Sequence, residues 1–304
     1  MKVLLAGGTG FIGGIYRRHF AERADEVVML VRRPIMDLRE RQILWDAKSS
    51  GDWESALEGA DVLINLCGRS VNCRYNEANK EEIYASRLDP TRALGAAIQR
   101  CAEPPKVWMN AASATIYRHE LERGMDEETG VLGSGFSVDV CHKWEAAFFE
   151  GQLPRTRRIA MRQTMIMGPE PGGPFEAYAS VAKMGLGGPM AGGRQYVSWI
   201  HERDLCRATD FLIDLSEIEG IVNLAAPNPL PNRDFMAAIV SALGIRIALP
   251  TPKWALAVGA FARGTETELI LKSRRVVPKR LLDAGFEFEF PTWPEAAKEI
   301  VGRL

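Results

Sequence analysis

A chain of 304 residues with 46% hydrophobic side chains and a formal net charge of -1 can bury a core of useful size and has no electrostatic lean toward nucleic acid or a membrane surface. Its five cysteines (Cys67, Cys73, Cys101, Cys141 and Cys206) are odd in number, lack CxxC spacing and form no ligand group with the four histidines, so no metal site is expected and reduced thiols in a cytoplasm are the simplest account. The apolar start lasts about five residues before a glycine turn, and no later run reaches spanning length; neither export nor anchoring is expected.

In chain order, short apolar runs alternate with amphipathic stretches, the pattern of helices covering both faces of a buried parallel sheet. Strands are predicted at 2–7, 26–31, 42–46, 61–68, 106–113 and 157–168, with helices near 11–23, 53–58, 77–101 and 137–150. Residues 168–195 (GPEPGGPF, GLGGPMAGGR) change character and read as a loop-rich insertion. A strand at 196–201, a helix near 202–215 and a strand at 221–227 follow, and PNPLPN then breaks the chain. The remainder, 231–304, holds two or three helices and the turn-bounded segment 286–291. Glycine density at 185–193 suggests a flap that closes on ligand.

The stretch AGGTGFIGG follows the first strand and opens the first helix. It satisfies GxxGxxG through Gly7, Gly10 and Gly13, and GxGxxG through Gly8, Gly10 and Gly13, with Thr9 inside the turn. One glycine permits the tight turn, one lets a pyrophosphate approach the backbone, and one lets helix and strand pack closely. Amides near Phe11 and Ile12 then face an anion at the positive end of the helix. The next strand ends in LVRRP, where an acidic residue would accept bonds from the ribose of NAD. Arg32 and Arg33 suit a 2′-phosphate instead, so NADP(H) is favoured over NAD(H). Asp46, at the end of the third strand, suits either an adenine amino group or a plain turn. The architecture expected is a Rossmann-like, doubly wound α/β sheet of residues 1–167 and 196–227, with a smaller α+β lobe from 168–195 and 228–304.

After the fifth strand, SATIY (113–117) resembles the end of the catalytic-serine strand in extended short-chain dehydrogenase/reductases. KEEIYASRLDPTRAL (80–94), GGRQYVSWIHERDL (192–205), VNLAAPNPLPNRDF (222–235) and VVPKRLLDAGFEFEFP (276–291) together resemble the atypical group called epimerase family or cell-division-inhibitor-like proteins. That resemblance implies an NADP-binding Rossmann domain, a C-terminal domain without an assigned role, and no defined reaction. It implies that Ser113 meets a substrate carbonyl or hydroxyl. By the same resemblance, Leu66, Cys67 and Gly68 pass the pyrophosphate and nicotinamide ribose, and Met165 and Ile166 flank the nicotinamide amide. The chain departs from the group at Arg118 and His119, at Thr265, and at Arg69 and Tyr75.

The wider superfamily uses a tyrosine and a lysine four residues later, on one helix face, to move the proton. No YxxxK occurs here; VDVCHKWEA (138–146) stands in its place, with Asp139 four residues before Lys143. Lys143 remains a candidate for the lysine role, with a one-residue slip placing Trp144 and Glu145 toward the ribose instead. Tyr117, His142, His201 and Glu145 are the candidate proton carriers, and reduction with a proton from water is the alternative. A protein that binds NADPH without turnover is the other reading. Arg194, Gln195 and Trp199 offer one cation, one amide and one aromatic face to a small polar substrate. Arg87 either reaches the cleft or pairs with a surface carboxylate. The expected partner is a small molecule or none, with no nucleic acid and no membrane, and a monomer and a homodimer fit equally.

Overall fold

The computed structural model describes residues 1–304 except 24, 37, 255 and 257–270; Thr265 lies outside the described residues. Strand β1 (Lys2–Ala6) is apolar from Val3 onward because both of its faces are covered there. Val3 and Leu5 join a core with Ile15, Tyr16 and Phe20 of α1 (Phe11–Glu22) and Leu205 and Leu212 of α5 (Glu202–Asp214). Leu4 and Ala6 turn the other way, toward Leu94, Ala97 and Ile98 of α2 (Glu77–Arg100) and Phe148 of α3 (Phe136–Phe149).

Parallel pairing extends this strand on both sides through β2 (Glu26–Val31), β3 (Arg41–Leu44), β4 (Val62–Asn65), β5 (Val107–Ser113), β6 (Arg157–Gln163) and β10 (Gly220–Leu224). Among the described residues the sheet has seven strands in the order β10-β6-β5-β4-β1-β2-β3. The order reverses at β1, so the crevice beyond the carboxyl ends of β1 and β4 is where such sheets take ligands.

Two expected strands are each divided. The run 157–168 leaves the sheet at Thr164, whose amide and hydroxyl both donate to the Leu224 carbonyl, at 3.1 and 2.9 Å. Beyond that point β7 (Met165–Met167) pairs in parallel with β9 (Trp199–His201) as a separate ribbon. Ser198 divides 196–201, its hydroxyl donating to the Arg274 carbonyl at 2.7 Å and accepting from the Val276 amide at 2.8 Å. Before it, β8 (Tyr196–Val197) pairs antiparallel with β11 (Leu230–Pro231).

The second lobe gathers α4 (Pro174–Val181), α6 (Asn232–Ala242) and, after α7 (Lys279–Asp283), which lies against β10 with Leu281 in the main core, α8 (Trp293–Gly302). Its core is aromatic: Phe235 stacks on Trp293 at 4.3 Å, and Trp199 meets Trp293 edge-on at 4.9 Å. The glycine-rich insertion is woven into this lobe and is not a free flap. Gly188 donates to Leu249 at 3.0 Å, Ala191 to Thr251 at 2.9 Å, and Thr251 back to Pro189 at 3.0 Å. A Cβ on Gly188 would lie 2.7 Å from the Leu249–Pro250 backbone, so this glycine serves close approach of two chains.

Candidate functional site

The turn between β1 and α1 divides its work among the glycines. Gly7 has a φ of 76°, in the left-handed region, and a Cβ there would stand 2.8 Å from the Cys67 amide nitrogen. The Leu66 amide donates to the Ala6 carbonyl at 2.8 Å, so the ends of β1 and β4 touch backbone to backbone. A Cβ on Gly13 would overlap the backbone of Gly8, which brings α1 hard against the strand end. Gly10, the residue capping α1, has open space on its Cβ side. Just past it lie the first-turn amides of Phe11, Ile12 and Gly13, which an α-helix cannot satisfy internally and which favour an anion. Thr9 is exposed in the turn, and the ring of Phe11 lies where a Cβ on Gly173 would strike it, at 2.6 Å.

Arg32 and Arg33 are exposed beyond β2, and the Arg32 charge lies close enough to the Cys67 thiol to draw its pKa down. Burial dominates that thiol all the same, pushing it up to about 12. Asp46 is a turn aspartate: its Oδ1 accepts the Lys48 amide at 2.8 Å and the Ser49 amide at 2.7 Å, and these bonds hold its carboxyl below the ordinary value.

A buried polar network unannounced by any motif supports the β4 loop. Asn65 Nδ2 donates to Asn110 Oδ1 at 2.6 Å and to Thr91 Oγ1 at 3.1 Å, and Asn65 Oδ1 accepts the Cys67 amide at 3.1 Å. Trp144 Nε1 donates to the same Thr91 hydroxyl at 3.1 Å, tying α3 to α2. One turn before Thr91, Arg87 reaches the loop: Nη2 donates to the Arg69 carbonyl at 3.0 Å, and a Cβ on Gly68 would be 3.3 Å from its Cζ. Arg87 thus packs on the loop after β4 and pairs with no surface carboxylate among the described residues.

Helical phase decides which side of α3 faces the strand ends. Cys141, Trp144 and Phe148 are buried, with half-buried Glu145 one turn after Cys141. Lys143 falls on the opposite side, over half exposed, and pairs with Asp139 at 2.7 Å; the Tyr84 phenol also donates to Asp139. The lysine role considered for Lys143 would require it to leave this pair and the outer side of the helix. His142 is likewise exposed. The i, i+4 pair that faces inward is Cys141 and Glu145. Burial pushes the Cys141 thiol up to about 12, while Glu145 accepts both Nε and Nη2 of Arg162 at 2.8 Å.

Ser113 ends β5 half-buried, its Oγ accepting the Thr115 amide at 3.2 Å, beside Gln163 in register on β6. Gln163 Nε2 is buried without a hydrogen-bond partner, a polar group at the strand end that the sequence did not flag. Tyr117 is committed to structure. Its hydroxyl donates to Asn223 Oδ1 and accepts from Arg162 Nη1, both at 2.9 Å, and burial raises its pKa even against the Arg162 charge.

His201 is fully buried, shares a bond with Glu299 at 2.9 Å and accepts the Arg203 amide at 3.1 Å as the cap of α5. Burial outweighs the Glu299 partner and holds its pKa down, at about 4. These contacts occupy both ring nitrogens, so a proton-carrying role would require one of them to break. Since the unfolded imidazole protonates near 6.5, the His201 contribution to stability should be flat above that pH and fall by about 3 kcal/mol between about 6.5 and 4. Urea melts across that range check this; a His201→Gln protein of unchanged acid sensitivity would refute it.

The expected substrate trio is not assembled. Trp199 is fully buried in the lobe core, Gln195 donates from its buried amide to the Met190 carbonyl at 3.0 Å, and Arg194 is exposed. Ile166 is buried in the main core, and Met165 packs on the lobe with the Tyr178 hydroxyl 3.8 Å from its sulfur.

The parallel order and the three-glycine crossing define a Rossmann-like fold of the short-chain dehydrogenase/reductase kind. The chain belongs to the NAD dependent epimerase/dehydratase family, which matches residues 3–225, and residues 251–300 match a domain of unknown function, DUF1731. It is 33% identical to the mouse (Mus musculus) epimerase family protein SDR39U1, over 99% of this chain and 100% of the relative. It is 31% identical to epimerase family protein ML0860 of Mycobacterium leprae, over 97% and 94%. A crystal structure of human SDR39U1 (isoform 2) with NADPH, 30% identical, superposes with a TM-score of 0.88 over 100% of both chains. UDP-N-acetylglucosamine 4-epimerase from Bacillus cereus, 14% identical with a TM-score of 0.77 over 100% and 96%, shares the fold alone. No helix of the described residues is long and apolar enough to cross a membrane.

Proposed function

We propose that this chain binds NADP(H) in the crevice beyond β1 and β4 and acts as an oxidoreductase on a small polar substrate placed by Ser113. The observation that carries it is the joint placement of three groups: an open Gly10 at the head of α1, Gly7 against the β4 loop, and Arg32 within electrostatic reach of Cys67 in that loop. On this reading the α1 amides hold the diphosphate, and Arg32 with Arg33 pairs the 2′-phosphate. The nicotinamide, when bound, gives or accepts a hydride. Ser113 orients the substrate oxygen, and Gln163 offers a second donor at the same strand end. The proton comes from solvent, because the inward phase of α3 carries Cys141, a weak acid with its thiol at about 12, and the phenol of Tyr117 is taken up by Asn223 and Arg162.

Calorimetry with NADPH and NADH tests the coenzyme. Arg32→Ala should weaken NADPH by about tenfold or more while leaving NADH nearly unchanged. An equal loss for both would reject the phosphate assignment. The engagement of Lys143, Tyr117 and His201 elsewhere favours a second reading, a non-catalytic NADPH-binding protein. Tight NADPH binding with no oxidation across a panel of carbonyl and enone compounds would select it.

A further inference from the structure

We propose that Arg87 is an anion-binding residue of the cleft, holding a carboxylate or phosphate group of the ligand that lies beside Gly68. The proposal deepens the reading above and rests on it for the place of the coenzyme.

Arg87 lies within the 24-residue α2 and sends its guanidinium to the end of β4. Its partners are all neutral. Nη1 donates to the Ile83 carbonyl at 3.1 Å and reaches Ser86 Oγ at 3.5 Å, Nη2 donates to the Arg69 carbonyl, and the Trp144 ring lies 5.2 Å from Cζ. The titratable groups close enough to bear on its charge are the Cys141 thiol and the Tyr75 phenol, both uncharged at neutral pH. Among the described residues no carboxylate pairs with it. The contrast is Arg162, more deeply buried, which has both carboxylate oxygens of Glu145.

A guanidinium taken out of water without a counter-charge costs stability, and burial accordingly pulls the Arg87 pKa below its ordinary value. Stability alone does not favour a charge here, since a neutral chain of that length would fill the space. An arriving anion offsets the cost. Guanidinium carries five N–H donors, and the neutral contacts above leave the Nε hydrogen and one on Nη2 for a ligand. Gly68 keeps the group open, because a side chain there would lie across Cζ. Two sources supply such an anion: an acidic group on the substrate, or the diphosphate of the coenzyme.

The test is calorimetric titration of the full chain with inorganic phosphate and with malonate, each without and with saturating NADP+. Wild-type protein should bind at least one probe. Arg87→Gln should lose that binding by about tenfold or more, and Arg87→Lys by less, while the melting temperature of the ligand-free protein holds. Gly68→Leu, which keeps the arginine but covers it, should cause the same loss. If the probe still binds with NADP+ present, the anion belongs to the substrate. If NADP+ displaces it and Arg87→Gln weakens NADP+ equally, the anion is the diphosphate. Arg87→Gln protein that takes phosphate, malonate and NADP+ as tightly as wild type would overturn the proposal, whatever its melting temperature. Arg87-dependent phosphate binding in a wild-type protein that gives no heat with NADP+ would support the proposal and sink the coenzyme reading alone.

Discussion

Gly13→Ala is expected to abolish measurable NADPH binding and to lower folding stability by about 2 kcal/mol or more. The added methyl would overlap the carbonyl and Cα of Gly8, backbone atoms that cannot swing aside, so α1 must back away from β1. That movement takes the Phe11 and Ile12 amides with it and loosens Ile15, Tyr16 and Phe20 from the core they share with Leu5. Gly10→Ala separates the two effects. A Cβ on Gly10 meets nothing within 4 Å, and its φ of -86° suits alanine, so folding should be unchanged. Yet that methyl stands on the approach to the helix end, and NADPH affinity should fall by about tenfold or more. Melting without coenzyme, followed by NADPH titration, checks both. A Gly10→Ala protein with wild-type affinity would show that the diphosphate lies elsewhere.

Glu145→Ala is expected to cost about 3–5 kcal/mol, because it strands the Arg162 guanidinium. The side chains of Arg162 and Glu145 are only 5% and 11% exposed, and Arg162 also holds the Tyr117 hydroxyl that reaches Asn223 on β10. Replacing both members, Arg162→Met with Glu145→Leu, should recover much of the loss, since buried pairs rarely outperform well-packed apolar ones. Lys143→Ala, on the outer face of the same helix, should change stability by no more than about 0.5 kcal/mol and leave NADPH binding intact. Urea unfolding of the four proteins decides it. A Glu145→Ala protein as stable as Lys143→Ala would mean that the ion pair contributes nothing.

The main sheet was readable because its signals are local. The apolar runs at 2–7 and 61–68 sit beside the turn glycines that end them, and Gly7, Gly10 and Gly13 have spacing that only a few backbone tasks require. Positions whose meaning depends on helical phase were harder. Counting four back from Lys143 finds Asp139 and suggests a vacated catalytic pair, yet burial turns Cys141 and Glu145 inward instead, which only the packing of Trp144 and Phe148 fixes. His201 and Trp199 follow a glycine-rich stretch and so resemble cleft residues; both are consumed by a lobe core whose partners, Trp293 and Glu299, lie about ninety residues on in the sequence. Asn65, Asn110 and Thr91 carry no motif at all, since three polar residues on separate elements meet only once the sheet exists.

The ribbon of β7 and β9 ends up with a different hydrophobic interior on each side. Ile166 and Ile200 face the nucleotide-type domain, while Met167 and Trp199 face the lobe. Melting of either half would strip the other of a wall, so the two halves are expected to unfold together, in one transition.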